Sequence, residues 1–175
     1  MKILITGAPG VGKTTIAHAL EEHGYAVIDS DNDPGIAYWE NKATGQEEAS
    51  ANLSEAWYQE HDWKWRINVL YRLVETATND VFVCGDASNK SDAFFLFDLL
   101  IVLTSSDDTL QERLESRTTK DFGKKPVELT WAFDMNQELT KEILAAEGIA
   151  VDANRPVDQV VHEILSKVDE RKKLA

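Results

Sequence analysis

Cysteine is nearly absent from this chain. Cys84 stands alone, so no internal disulfide can staple the fold, and its apolar run Val81-Phe82-Val83-Cys84 marks it as a buried strand residue rather than a reactive thiol. Positive charge is scarce too: 18 Lys and Arg stand against 31 Asp and Glu, a formal net charge of −13. That balance argues against broad binding to nucleic acid or to an anionic membrane. It leaves room for small anionic ligands at a local basic cluster. No apolar run is long enough to cross a bilayer, and the chain enters its first apolar segment without a leader pattern. These absences predict a cytoplasmic protein. No repeat, low-complexity block or linker divides the 175 residues, so one domain spanning 1–175 is expected.

What is present is concentrated near the start. Gly7-Ala8-Pro9-Gly10-Val11-Gly12-Lys13-Thr14 fits the phosphate-binding loop pattern G-x-x-x-x-G-K-[ST]. The apolar run Lys2–Thr6 before it suits a buried strand. Thr15 to His23 after it reads as a helix with Ile16, Ala17 and Leu20 on one face. Strand, glycine-rich turn and helix is the arrangement that aims backbone N–H groups and a helix N-terminus at phosphate oxygens. Lys13 would reach the β- and γ-phosphates and the Thr14 hydroxyl would ligate Mg²⁺. The pattern predicts binding of a nucleoside triphosphate.

Tyr25–Ile28 reads as a second strand, ending in Asp29-Ser30-Asp31. Carboxylates there lie on the ligand edge of an open α/β sheet. Asp29 or Asp31 would then orient hydrated Mg²⁺ or an acceptor hydroxyl; a polar turn with a helix cap is the plainer alternative. From Asp62 to Thr76 the pattern reads as a helix with Trp63, Ile67, Leu70, Tyr71 and Val74 on its stripe, while Trp65 beside Arg66 falls off it. Trp39, Trp57, Trp63 and Trp65 crowd this region, and core packing and an aromatic acceptor pocket are both open. Val81–Cys84 reads as the third strand. Asp86 after it is a second candidate for supporting Mg²⁺. Asn89-Lys90-Ser91-Asp92 matches the guanine-reading N-K-x-D, but no D-x-x-G accompanies it, which argues against a GTPase.

Leu99–Leu103 reads as the fourth strand, and Ser105-Ser106-Asp107-Asp108 can cap a helix running to Arg117. Arg113 and Arg117, four apart, share one face. Five basic and two acidic residues stand between Arg113 and Lys125, a reversal of sign that a cationic cover over triphosphate would explain. A helix over 127–147, a fifth strand Ile149–Asp152, the turn Ala153-Asn154-Arg155-Pro156 and a last helix complete the chain.

The loop Gly7–Thr14, the segment Asp107-Asp108-Thr109-Leu110-Gln111-Glu112-Arg113-Leu114-Glu115-Ser116-Arg117 and Val151-Asp152-Ala153-Asn154-Arg155-Pro156-Val157 together resemble the adenylate kinase and shikimate kinase group of small P-loop kinases. That resemblance implies a three-layer α/β fold, a five-stranded parallel sheet in the order 2-3-1-4-5 and helices on both faces. It implies ATP and Mg²⁺, with Gly7 to Thr15, Arg113 and Arg117 on the phosphates and Asn154, Arg155 and Pro156 at the adenine. Asp29 and Asp31 resemble the D-x-D of shikimate kinases, one acid for Mg²⁺ and one for the acceptor. Lys13, Asp31, Arg113 and Arg117 would be the catalytic set. Residues 31–78 would form an acceptor insert, with Asp31, Trp39 and Arg66 joined there by Asn89 and Lys90, and 117–127 would be a lid. The chain departs from both families after the third strand, where Gly85-Asp86-Ala87-Ser88-Asn89 stands and Lys90 is the nearest counterpart of an acceptor-phosphate arginine. The expected activity is transfer of the γ-phosphoryl of Mg-ATP to the hydroxyl or phosphate of a small molecule. The competing expectation is a nucleotide-dependent assembly ATPase with no such acceptor.

Overall fold

The computed structural model describes residues 1–49, 54–118 and 122–174. In chain order it contains β1 (Lys2–Thr6), α1 (Lys13–Glu22), β2 (Ala26–Asp29), β3 (Ala37–Asn41), β4 (Glu47–Glu48), α2 (Glu55–Glu60), β5 (His61–Trp65), α3 (Ile67–Glu75) and β6 (Val81–Cys84). A 3-10 segment, Lys90–Leu96, leads to β7 (Leu99–Thr104), α4 (Asp107–Ser116), α5 (Pro126–Ala145), β8 (Ile149–Asp152) and α6 (Val157–Lys172).

Five strands form a parallel sheet in the order β2-β6-β1-β7-β8, which is 2-3-1-4-5 when its strands alone are numbered. Because successive strand side chains point to opposite faces, β1 feeds two cores. Ile3 and Ile5 pack with α1 and α6 residues such as Leu20, Val161 and Ile164, while Leu4 packs with Leu70, Val74, Leu139 and Ile143 from α3 and α5. Strands buried on both faces need apolar runs, which KILIT, VFVC and LLIVLT supply. The result is helix, sheet, helix, as the resemblance implies.

A second sheet was not expected. Strands β4-β3-β5 form a small antiparallel unit, with Trp39 opposite Trp63 and Ala37 opposite Trp65. The helix expected from Asp62 therefore begins only at Ile67, and residues 62–65 are strand. The physical reason is visible in the residues: Trp63 and Trp65 stand two apart, a strand spacing that puts both on one face, and Trp65 is 1% exposed in the core. Its misfit with the helical stripe was the signal.

Candidate active site

The chain leaves β1 and crosses to opposite sides of it, to β6 on one flank and β7 on the other. Open α/β sheets bind ligands at such a switch point, outside the carboxyl ends of the strands. Three loops meet at that edge: Gly7–Gly12 after β1, Ser30–Asp31 after β2 and Gly85–Asp86 after β6.

The first loop needs its glycines. Gly10 and Gly12 have φ of 87° and 111°, and a Cβ on Gly10 would stand 2.8 Å from Leu114 Cγ. Gly12 caps α1 without a side-chain hydrogen bond, so the helix offers its first N–H groups to whatever lies in the loop. Lys13 Nζ donates to Gly7 O at 2.7 Å and to Ala8 O at 3.4 Å, folding over the loop its backbone would share with phosphates. Thr14 and Thr15 are exposed at the mouth, whereas Ala8 and Val11 are buried and hold the loop to the core; Pro9 lies between them.

The carboxylates separate into two groups. Asp31 Oδ2 lies 3.6 Å from Lys13 Nζ, and Asp31 Oδ1 accepts the Asp86 N–H at 2.9 Å. Asp86 Oδ1 takes the Thr6 hydroxyl at 3.0 Å. Burial raises the Asp86 carboxyl above the ordinary aspartate range, with the charges of Lys90 and Lys13 pulling the other way. Asp29 is elsewhere engaged: its carboxylate accepts Asn32 Nδ2 at 2.7 Å and Asn32 N at 3.3 Å, an Asx-type turn. Of the two acids offered for metal support, Asp86 therefore sits with Lys13, and Asp29 does not. Among the described residues no cluster of three His, Cys, Asp or Glu makes an all-protein metal cage. The donor set still fits Mg²⁺, which takes hard oxygen ligands from one or two protein groups and completes its shell with water and substrate phosphates. Thr14 and Asp86 are such donors beside an uncapped helix N-terminus.

Arg113 reaches this loop from α4. Its Nη1 donates to Val11 O at 2.9 Å and its Nη2 to Ala153 O at 2.8 Å, tying the loop to the turn after β8. Arg117 follows α4 in extended conformation rather than continuing the Arg113 face. It donates to Phe122 O at 2.7 Å, while its Nε is buried without a partner among the described residues, and burial lowers its pKa. A desolvated guanidinium with a spare donor suits an anion. Lys124 caps the end of α4 through the carbonyls of Leu114, Glu115 and Arg117. Lys120, also in the basic stretch, lies with Thr119 and Asp121 outside the described residues, as do residues 50–53 of the insert. Asn154 accepts from Ser105 Oγ at 2.8 Å and Ser106 N at 3.1 Å, and Arg155 pairs with Glu163. These side chains hold the turn in place, and Pro156 is the N-cap residue of α6.

On the acceptor side the outcome is mixed. Trp39 lies in an aromatic set with Trp63, Tyr58 and Trp57, at centroid distances of 5.1, 5.7 and 6.3 Å. Tyr58 continues the set to Phe122 at 5.9 Å and Trp131 at 5.6 Å. Asn89, expected on the acceptor side, is bonded to β5. Its Oδ1 accepts Trp65 N–H at 2.9 Å and its Nδ2 donates to Trp65 O at 3.0 Å, pinning β5 beside the end of β6. Lys90, expected to meet an acceptor phosphate, is instead 6% exposed and paired with Glu142 at 2.9 Å and Asp86 at 3.3 Å. Arg66 donates to Pro34 O, pairs with Glu47 and lies 4.6 Å over the Tyr38 ring. Sequence reasoning missed Thr6, Tyr58, Phe122, Trp131 and Glu142, whose roles depend on contacts between distant segments. Two open surface grooves, one beside Asp108, Glu112 and Glu115 and one beside Asp158, His162 and Lys167, contain none of Lys13, Asp31 and Asp86. Converging charge locates this site.

A family model described as "AAA domain" matches residues 3–142. No curated protein sequence matches the chain significantly. Among solved structures, a shikimate kinase from Acinetobacter baumannii superposes with TM-score 0.64 at 16% identity, covering 98% of this chain and 94% of that one. A gluconokinase from Sinorhizobium meliloti 1021 gives 0.58 at 19%, covering 99% and 94%. A deoxyadenosine kinase from M. mycoides gives 0.56 at 16%, covering 97% and 99%. At these identities the likeness is one of fold, the fold of small P-loop kinases.

Proposed function

The chain belongs to the AAA domain family, and from that premise and the site geometry we propose that it is an ATP-dependent phosphotransferase acting on a small-molecule hydroxyl. The observation that carries the proposal is the placement of Asp31, 3.6 Å from Lys13 Nζ and bonded to the Asp86 amide. A carboxylate there is within reach of a group entering beside the γ-phosphate. Kinases, AAA-type ATPases and other loop proteins share Lys13 and Thr14; a second-strand acid at this place has most to do where an acceptor must be oriented.

In this reading the loop amides and Lys13 bind the triphosphate, Arg113 and Arg117 offset charge on the transferring group, and Thr14 with Asp86 holds Mg²⁺. The metal, when bound, neutralises phosphate charge. The acceptor hydroxyl oxygen forms a bond to the γ-phosphorus as the bond to the β–γ bridging oxygen breaks. That electron pair leaves with ADP, and the hydroxyl proton passes to Asp31. Residues 31–78 act as the acceptor insert and 117–127 as a lid whose closure keeps water out. The assembly ATPase reading has less support, because Ala87, not a glutamate, follows Asp86 where a motor ATPase activates water.

Asp31→Asn tests the assignment. It keeps size and removes proton-accepting power, so acceptor-stimulated ADP release should fall by at least about a hundredfold. ATP affinity, measured by calorimetry, should change little. Equal loss of ATP affinity would move Asp31 to the metal, and loss of neither would reduce it to a turn residue.

A further inference from the structure

Building on the phosphotransferase reading, we infer that the acceptor carries no anionic group and is a neutral or cationic ring compound bearing a hydroxyl. The two faces of the small sheet carry the argument. On one face stand Ala37, Trp39, Trp63 and Trp65, because strand residues two apart share a side and Trp39 pairs directly with Trp63. Trp65 is sunk into the core. Trp39 and Trp63 are half-buried, and their aromatic set runs through Tyr58 to Phe122 beyond α4 and Trp131 on α5. The wall is tied to the reacting edge by the backbone: Ser88 N and Asn89, two and three residues past Asp86, bond the carbonyls of Trp63 and Trp65. Aromatic faces recognise planar rings by stacking and cations through the ring quadrupole, and offer nothing to an isolated anion.

The cations tell the same story by their commitments. Lys64 is bound to Glu40 at 2.5 Å, Lys42 lies 3.4 Å from Asp62 and donates to Gln59 O, and Arg66 pairs with Glu47. Lys90 is buried between Asp86 and Glu142. Each basic side chain described on the sheet, and the one directly past Asp86, is thus neutralised by a carboxylate of this chain. Residues 31–78 carry nine acidic side chains against four basic. An acceptor phosphate or carboxylate entering here would meet Asp31 and Asp86 without a free counter-charge, and a desolvated like-charge contact is strongly unfavourable. Lys13 is held by Asp31 at 3.6 Å, and Arg117, which has no carboxylate partner among the described residues, stands on the donor side.

The transfer itself is unchanged: the acceptor's hydroxyl oxygen takes the γ-phosphoryl, ADP leaves with the bridging electron pair and the proton goes to Asp31. What changes is the class of molecule. A panel read by ADP release with Mg-ATP tests it, using uncharged nucleosides, amino-sugar alcohols, nucleoside 5′-monophosphates and sugar acids. One of the first two classes should stimulate turnover, and the phosphorylated or carboxylated counterpart should be poorer by on the order of a hundredfold; which of the two responds separates a stacked neutral ring from a cation. Trp63→Leu should raise the acceptor KM roughly tenfold more than the ATP KM, and Trp63→Phe should restore most of it. Stimulation by monophosphates or sugar acids overturns the acceptor class and leaves the kinase reading standing. ADP release that no class raises above the water background overturns the kinase reading, and this inference with it.

Discussion

An ideal Cβ on Gly85 would lie 2.0 Å from Ser30 Oγ and 2.8 Å from Asp31 Oδ1. The glycine is there so that the loops after β2 and β6 can close on each other and bring Asp31 to the Asp86 amide. Gly85→Ala should lower stability by about 2 kcal/mol, as overpacking of a tight contact does, and should displace Asp31. The denaturation midpoint checks the first effect. Adding Ser30→Ala removes the closest oxygen and should recover part of the loss; no recovery in the double variant would mean that Ser30 is not what Gly85 avoids. At this scale the phosphate loop was legible because its chemistry is contiguous: Gly7 to Thr14 present glycine, lysine and hydroxyl at fixed local offsets. The bond between Asp31 and Asp86 was not, because 55 residues separate its partners and no local pattern encodes their approach. The pairing of Lys90 was hidden for a related reason. Its position after the third strand resembles that of an acceptor arginine, but Glu142, far along the chain, claims its ammonium.

Among the elements, β5 is the one whose identity reverses the sequence reading, and its attachment is testable. Asn89 makes two hydrogen bonds to the Trp65 backbone, replacing a strand neighbour. Asn89→Ala leaves that amide and carbonyl without partners, a loss of about 2 kcal/mol. Amide exchange at Trp65 should accelerate while that of β1 moves little. Unchanged exchange at Trp65 would show that the clasp is not what holds the strand. The five strands of the larger sheet could be read from short apolar runs, unbroken in β1, β6 and β7 where both faces are buried, while their parallel order followed from the resemblance. The three antiparallel strands could not, because their charged outer face dilutes the hydrophobic signal and β3 finds its partner β5 across a poorly patterned stretch. The period-two placement of Trp63 and Trp65 was the usable clue, and a helical period fitted to Trp63, Ile67 and Leu70 hid it.

Over the whole molecule, Asp80 joins distant parts of the chain: it takes Lys172 Nζ of α6 at 2.6 Å and the Met1 amine at 2.6 Å. Burial alone would raise its pKa, but these two partners outweigh it and hold the carboxyl below the ordinary aspartate range. Its contribution is therefore present above about pH 4 and lost as pH falls through the lowered folded-state value. Asp80→Asn should cost about 1 kcal/mol at neutral pH, and less in acid, where urea midpoints of wild type and variant should converge. A constant gap down to acid pH would rule out the charge pairing. The central claim, that the site moves a phosphoryl group to an organic hydroxyl rather than to water, is tested most directly by following the γ-phosphoryl of labelled Mg-ATP in the presence of neutral ring alcohols. The account predicts label in a phosphate ester of the acceptor, formed faster than inorganic phosphate and lost on Asp31→Asn. Label appearing solely as inorganic phosphate, at one rate with or without every acceptor tried, would contradict it.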